Sequence, residues 1–251
     1  MLEQTNMGSA QQHCEIARPV RGEFLMGKQI THLGGLFTGD EWFVAVNVLR
    51  HPKTGFPHLA LTYKVFPNDT TIMTDGVDQP GVAAYLTANL ERFGLSYSVC
   101  VGERGIHGQG TRFELPSTPD TRTRLRSMYE HIQQHPEEFK PRQPVEFDRL
   151  CNLAIRMPHD GCGLLTRATA YLADRNINMR YVRAEKDDLN KALGLHEVKV
   201  FAQLEVPGID LEILETELRQ VCPGKSEVKL RELWRRPTGG QSDEPHCVMN
   251  F

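Results

Sequence analysis

The sequence has no Cys-x-x-Cys pair and no His-x-His or His-Glu-x-x-His spacing, and its glycine-rich run "GERGIHGQGT" lacks the Gly-Lys-Ser/Thr ending of a phosphate loop. It also carries little net charge, formally -3 over 251 residues. Each absence removes a class. Six scattered cysteines (Cys14, Cys100, Cys151, Cys162, Cys222 and Cys247) suit reduced thiols better than a disulfide frame or a zinc site. The histidines offer no ready metal spacing, and neither a metal nor a cofactor is expected. A balanced charge gives no bulk reason to bind nucleic acid directly. No apolar run approaches the roughly 18 residues that span a bilayer. The N-terminus lacks a basic start followed by an apolar stretch, so no secretory signal is visible and a cytoplasmic location is expected.

An ordinary globular composition remains, with 39% hydrophobic and 24% charged residues. The runs "EWFVAVNVL" and "HLALTYKVF", joined by "RHPKTGFP", predict a β-hairpin with a longer loop. Sliding the chain by 82 positions lays "VDQPGVAAYLTANLERFGLSYSVCVGE" (Val77–Glu103) over "HDGCGLLTRATAYLADRNINMRYVRAE" (His159–Glu185). Asp78 meets Asp160, Gly81 meets Gly163 and Thr87-Ala88 meets Thr169-Ala170. Positions 82, 83, 86, 90 and 164, 165, 168, 172 each mark one helical face. Alternation through Leu95, Tyr97, Val99 and Val101, and through Ile177, Met179 and Tyr181, predicts strands after the helices.

Downstream, "FELPSTPD" matches "LEVPGID". A second amphipathic helix follows each, lined by Leu125, Met128 and Ile132 or by Leu211, Leu214, Leu218 and Val221. "SEVKLREL" reads as a closing strand of the second copy, and "PVEFD" at Pro144 is the candidate for the first. The order strand–helix–strand–strand–helix–strand is ferredoxin-like. The expected fold is therefore α+β, with two such units and an N-terminal β-hairpin extension. Its segments are a flexible N-terminus (1–40), hairpin plus first unit (41–143), second unit (144–234) and a disordered tail (235–251).

Asp160 to Met179, "DGCGLLTRATAYLADRNINM", is a glycine-broken turn leading into a short helix and out through Asn178. The N–H groups opening that helix at Leu164 and Leu165 lack internal partners and face the positive end of its dipole, where a carboxylate fits. The Asn178 amide both donates and accepts. Asn178 is read as lying beside the turn, and its loss as leaving folding little changed because an Asn at this exit is not a core-packing residue.

These residues resemble the ACT domain family, whose members sense small ligands, most often amino acids. "LAIRMPHDGCGLLTRATAYLADRNINM" carries the resemblance and "VDQPGVAAYLTANLERFGLSYSV" repeats it. The tandem layout is similar to that of double ACT proteins of the glycine-cleavage-repressor type. The resemblance implies ligand contacts at Asp160, Gly161, Gly163, Leu164 and Asn178, and at Asp78, Gly81, Val82 and Ser96 in the first unit. Gly161-Cys162 stands where the family often has a proline before the glycine, and Ser96 where the second unit has Asn178. The first site reads as degenerate. The implied function is non-catalytic, regulatory and allosteric, with an amino acid or similar metabolite as ligand and a partner protein or homodimer as recipient.

Two other readings stay open. An enzyme of amino-acid or cofactor metabolism could use the scaffold, with chemistry in the N-terminal region or at His107 of "GERGIHGQGT". A ligand-free oligomerisation module is the third. His159, Asp160 and Cys162 are adjacent in sequence, whereas catalytic Cys/His pairs usually come from distant segments. "GERGIHGQGT" reads as a long flexible hairpin loop and "KDDLNKALGLH" as a solvated loop inserted into the second unit.

Overall fold

The computed structural model describes residues 43–105, 108–140, 142–158, 163–190, 195–222 and 226–236. The mobile N-terminus expected from sequence and the tail beyond Arg236, together with His107, His159, Asp160, Gly161 and Cys162, lie outside these residues; at the start of that tail Arg235 is instead the last residue of a strand and the Arg236 N–H bonds the Asp148 carbonyl at 2.7 Å.

Among the described residues the chain is α+β, with nine antiparallel strands in one sheet and four α-helices. In chain order they are β1 (Phe43–Arg50), β2 (Pro57–Val65), β3 (Thr70–Gly76), α1 (Val82–Arg92), β4 (Val99–Gly105), β5 (Gly108–Leu115) and α2 (Pro119–Gln134). A 3-10 turn at Pro136–Glu138 follows α2. Then come β6 (Arg149–Pro158), α3 (Leu164–Asp174), β7 (Asn178–Asn190), β8 (Leu195–Val206), α4 (Leu211–Val221) and β9 (Glu227–Arg235). No described helix is long and apolar enough to cross a membrane.

Both turns into α1 and α3 use a left-handed glycine at the cap, Gly81 (φ 95°) and Gly163 (φ 81°). A side chain there would strain the backbone, which explains the repeated glycine. The inward faces of α1 and α3 and alternate residues of the strands enter one core. Val82, Leu86 and Leu90 supply it from α1, and Leu164, Ala168 and Leu172 from the matching positions of α3. In α2, Leu125, Met128 and Ile132 are buried, as are Leu214 and Leu218 in α4.

The sheet order is β1-β2-β3-β5-β4-β7-β8-β6-β9. The halves join through antiparallel β4 and β7, where Val101 lies opposite Arg183. Those two residues are related by the same 82-residue offset as Thr87 and Thr169, whose hydroxyls are 3.0 Å apart between α1 and α3. The repeat is thus expressed as an approximate twofold axis through the middle of the chain.

Four local expectations are corrected. No strand forms at Pro144 to Asp148; β2 of the hairpin instead pairs with β3, the position that β9 holds beside β6. The predicted strand from Leu95 begins only at Val99. Left-handed Gly94 (φ 61°) and the Leu95 N–H to Leu90 carbonyl bond (2.8 Å) use the intervening residues to close α1. "GERGIHGQGT" is not a long loop, since β4 and β5 remain paired to Gly105 opposite Gly108. Two of its glycines serve close approach: a Cβ on Gly108 would stand 2.1 Å from the Gly76 carbonyl oxygen, and one on Gly102 2.9 Å from the Thr111 and Val182 side chains. "KDDLNKALGLH" likewise continues both strands, β7 to Asn190 and β8 from Leu195.

Candidate functional site

Strand direction decides which sequence-predicted residues meet. β6 runs from Arg149, paired with Val206, to Pro158, paired with Glu197. Helix α3 returns antiparallel, so Asn178 opens β7 opposite Glu205, at the Arg149 end. The turn before Gly163 follows Pro158 at the other end. The strand between them, at about 3.3 Å per residue, separates the two by roughly 30 Å. Asn178 is therefore not beside the turn of its own half.

It meets the turn of the other half. Antiparallel pairing of β4 with β7 brings the end of the first half's strands to the start of β7. The Asn178 Nδ2 donates to Asp78 Oδ1 at 2.9 Å and to Glu205 Oε2 at 3.3 Å. Its Oδ1 accepts from the Met179 N–H at 3.0 Å. Left-handed backbone is not its role, because Asn176 (φ 54°) takes that conformation, at the offset position of Gly94.

Around this amide lies a network of two carboxylates and two guanidinium groups. Arg104, at the end of β4, holds Glu205 through two parallel bonds of 2.8 and 2.7 Å and also pairs with Asp78. Arg180 donates from Nε to Glu205 Oε1 at 2.7 Å, with its guanidinium 5.2 Å from the Phe147 ring. The Glu205 side chain is 8% exposed and that of Arg104 is 31% exposed. Burial alone would raise the Glu205 pKa, but the bonds and charges of Arg104 and Arg180 overcome it, leaving the carboxyl below its ordinary value. Burial opposes the charge on Arg104, and Glu205 and Asp78 more than restore it.

A carboxylate with a lowered folded pKa stabilises the fold above its unfolded value, near 4.5, and loses that contribution as pH falls through the folded value. Thermal unfolding followed from about pH 6 to about pH 3 should show stability declining through that acid window. Glu205→Gln should flatten this part of the curve. An unchanged slope would remove Glu205 as its source.

Asp78, Arg104, Asn178 and Glu205 line a cleft of about 480 Å³ on the boundary between the halves, together with Phe147 of the connecting segment and Arg236. The cleft combines Asp78 of the first half with Asn178 of the second. Gly81 and Val82 begin α1 just beyond Asp78, while Ser96 is exposed and precedes β4. Gly163 and Leu164 are elsewhere: a Cβ on Gly163 would lie 2.6 Å from a carboxylate oxygen of Glu91, at the end of α1. A side chain of the protein thus already brings an anion to the start of α3.

Arg104, Arg180 and Glu205 escaped sequence reasoning. Glu205 lay inside the repeated "LEVPGID" and Arg104 inside "GERG", but only the strand pairing brings them together. The described thiols are poor nucleophiles. Burial pushes Cys100 up to about 12 and, as the leading cause, Cys151 and Cys222 to about 11. Among the described residues no group of three His, Cys, Asp or Glu is arranged to hold a metal.

No protein-family model matches the sequence, and no curated protein matches it. Solved structures similar to it include aspartate kinase from Synechocystis, at 14% identity and TM-score 0.45 over 68% of this chain. The match spans only 30% of the kinase's length. An unknown protein from Galdieria sulphuraria is 16% identical, with TM-score 0.32, over 65% of this chain and 95% of its own. A protein assigned as a glycine cleavage system transcriptional repressor is 17% identical, with TM-score 0.28, over 66% of this chain and 95% of its own. Every identity is below 25% and every TM-score below 0.5, so these likenesses carry nothing about ligand, activity or partner.

Proposed function

We propose that this chain is a non-catalytic regulatory protein that binds a free amino acid, or a similar zwitterion, in the cleft between its halves. The carrying observation is the neutral network of Asp78, Glu205, Arg104 and Arg180, contributed by both halves and braced by Asn178. An ammonium group finds acceptors in Asp78 and Glu205, and a carboxylate finds donors in Arg104 and its neighbours. A zwitterion adds no net charge to the network. A 2-oxo acid or a simple amine leaves one charge uncompensated beside carboxylates and guanidinium groups that already balance one another.

In this reading the halves, residues 41–143 and 144–234, are ferredoxin-like units of ACT type, with β2 standing in for the closing strand of the first. Ligand contacts fall to Asp78, Gly81, Val82 and Asn178, joined by Arg104 and Glu205. The pseudo-equivalent place, with Asp160, Gly161, Gly163, Leu164 and Ser96, has Glu91 near its helix start and is the weaker site. Binding ties one half to the other, and regulation follows from a ligand's preference for that tied arrangement over a looser one. The recipient is a partner protein or a second copy of the chain.

A thermal-shift screen with the twenty amino acids, each beside its 2-oxo acid and decarboxylated amine, tests the proposal. At 100 times its dissociation constant the true ligand adds about 2.7 kcal/mol. That corresponds to a rise of roughly 5–11 °C for a chain of this size. A screen in which no amino acid raises Tm, or in which amine and 2-oxo acid do equally well, overturns it.

A further inference from the structure

The alternation in "PVEFD" serves no strand, because residues 142–147 lead to β6 without joining the sheet. Its two apolar side chains, Val145 and Phe147, line the cleft instead, together with Pro144. Val145 is 43% exposed. A lone exposed valine needs no explanation, but this one shares the cleft with an aromatic ring held by two neighbours. The Phe147 ring stands edge-on to Trp234 of β9, with centroids 6.1 Å apart, and the Arg180 guanidinium lies 5.2 Å from it. The remaining charged residues of this lining, Glu146 and Arg236, pair with each other. Gly105 and Gly108 add no side chain. Outside the charged network, the described residues of the cleft offer apolar surface and no unpaired side-chain charge.

We propose, resting on the zwitterion reading of the cleft, that Val145 and Phe147 select the ligand as an α-amino acid with an apolar side chain of valine size or larger. Both charged groups of an α-amino acid branch from one carbon. With the ammonium and carboxylate on the network, the third substituent leaves that carbon toward the rest of the lining. There it meets Pro144, Val145 and Phe147. Apolar surface covered by these side chains is stabilised in proportion to its area. A hydroxyl or amide in the same place sheds water and finds no partner, which costs free energy. Glycine has no side chain to bring there. Size is no obstacle, since a cleft of about 480 Å³ is within the range of small-molecule sites, roughly 300–1,000 Å³. The connecting segment thus sets which amino acid is read, while the network sets that an amino acid is read.

Isothermal titration of the full chain with two near-isosteric pairs, valine with threonine and leucine with asparagine, tests the assignment, with glutamate and lysine as charged comparisons. The apolar member of each pair should bind at least about tenfold more tightly. In Val145→Asn and in Phe147→Ser that ratio should fall toward one. Val145 is exposed, so its exchange leaves the core intact and a lost preference there is not a lost fold. Threonine or asparagine binding as tightly as its partner would overturn the assignment and leave the zwitterion reading standing. So would glutamate or lysine binding more tightly than leucine, or a ratio unchanged in both variants. Binding by none of the amino acids would overturn the zwitterion reading and this one with it.

Discussion

Glu205→Ala should lower the unfolding free energy by about 2–4 kcal/mol, an effect larger than a surface ion pair can give. The reason is what the substitution leaves behind. Arg104 loses two parallel bonds and retains only Asp78. Arg180, with a side chain 18% exposed, loses its carboxylate partner and keeps the Phe147 ring beside it. Asn178 loses one of its two acceptors. Removing one member of a buried pair costs about 3–5 kcal/mol, and the partial exposure of Arg104 discounts that range. Calorimetric unfolding should show Tm falling by roughly 4–16 °C. A change within about 0.5 kcal/mol would mean that the network is an ordinary solvated ion pair and does not hold the halves together.

Asn178→Ala should act most strongly on binding. The amide positions Asp78 and Glu205 from opposite halves, so its loss frees both acceptors offered to a ligand's ammonium group. Hydrogen bonds to charged groups are worth about 1.5–3 kcal/mol, which weakens affinity roughly 10- to 100-fold. Stability should fall too, by about 1–2 kcal/mol, because Asn178 is 6% exposed and bonded through both amide atoms. Sequence reasoning expects folding to be indifferent to this residue, and its burial explains the difference. Ser96→Ala, at the exposed counterpart, should leave affinity unchanged. Isothermal titration of the two variants with the amino acid that raises Tm most reads both effects. Equal affinity in Asn178→Ala would take that residue out of the site.

What could be read in the sequence was mostly local. The apolar faces of α1 and α3, the left-handed glycines that start them and the 82-residue offset all follow from spacing along a single element. Register and strand partners do not. Nothing in "HLALTYKVF" announces that β2 pairs with β3 in place of "PVEFD", because either run suits an edge beside β3. Glycine-rich "GERGIHGQGT" was legible as a hairpin, but its Gly108 answers to the Gly76 carbonyl on another strand rather than to flexibility. Asn178 and Asp78 were each singled out, yet assigned to separate sites. They are 100 residues apart, and only the β4–β7 pairing makes them neighbours. Arg104 and Glu205 were invisible for the same reason: a lone charged residue in a strand carries no sign of its partner.

A crystal structure of the chain with that same amino acid tests the central claim most directly. The account predicts density between the Asp78 turn and Asn178, with the ammonium group on Asp78 or Glu205 and the carboxylate toward Arg104. Density at the start of α3 beside Gly163, or anywhere away from the boundary between the halves, would contradict it.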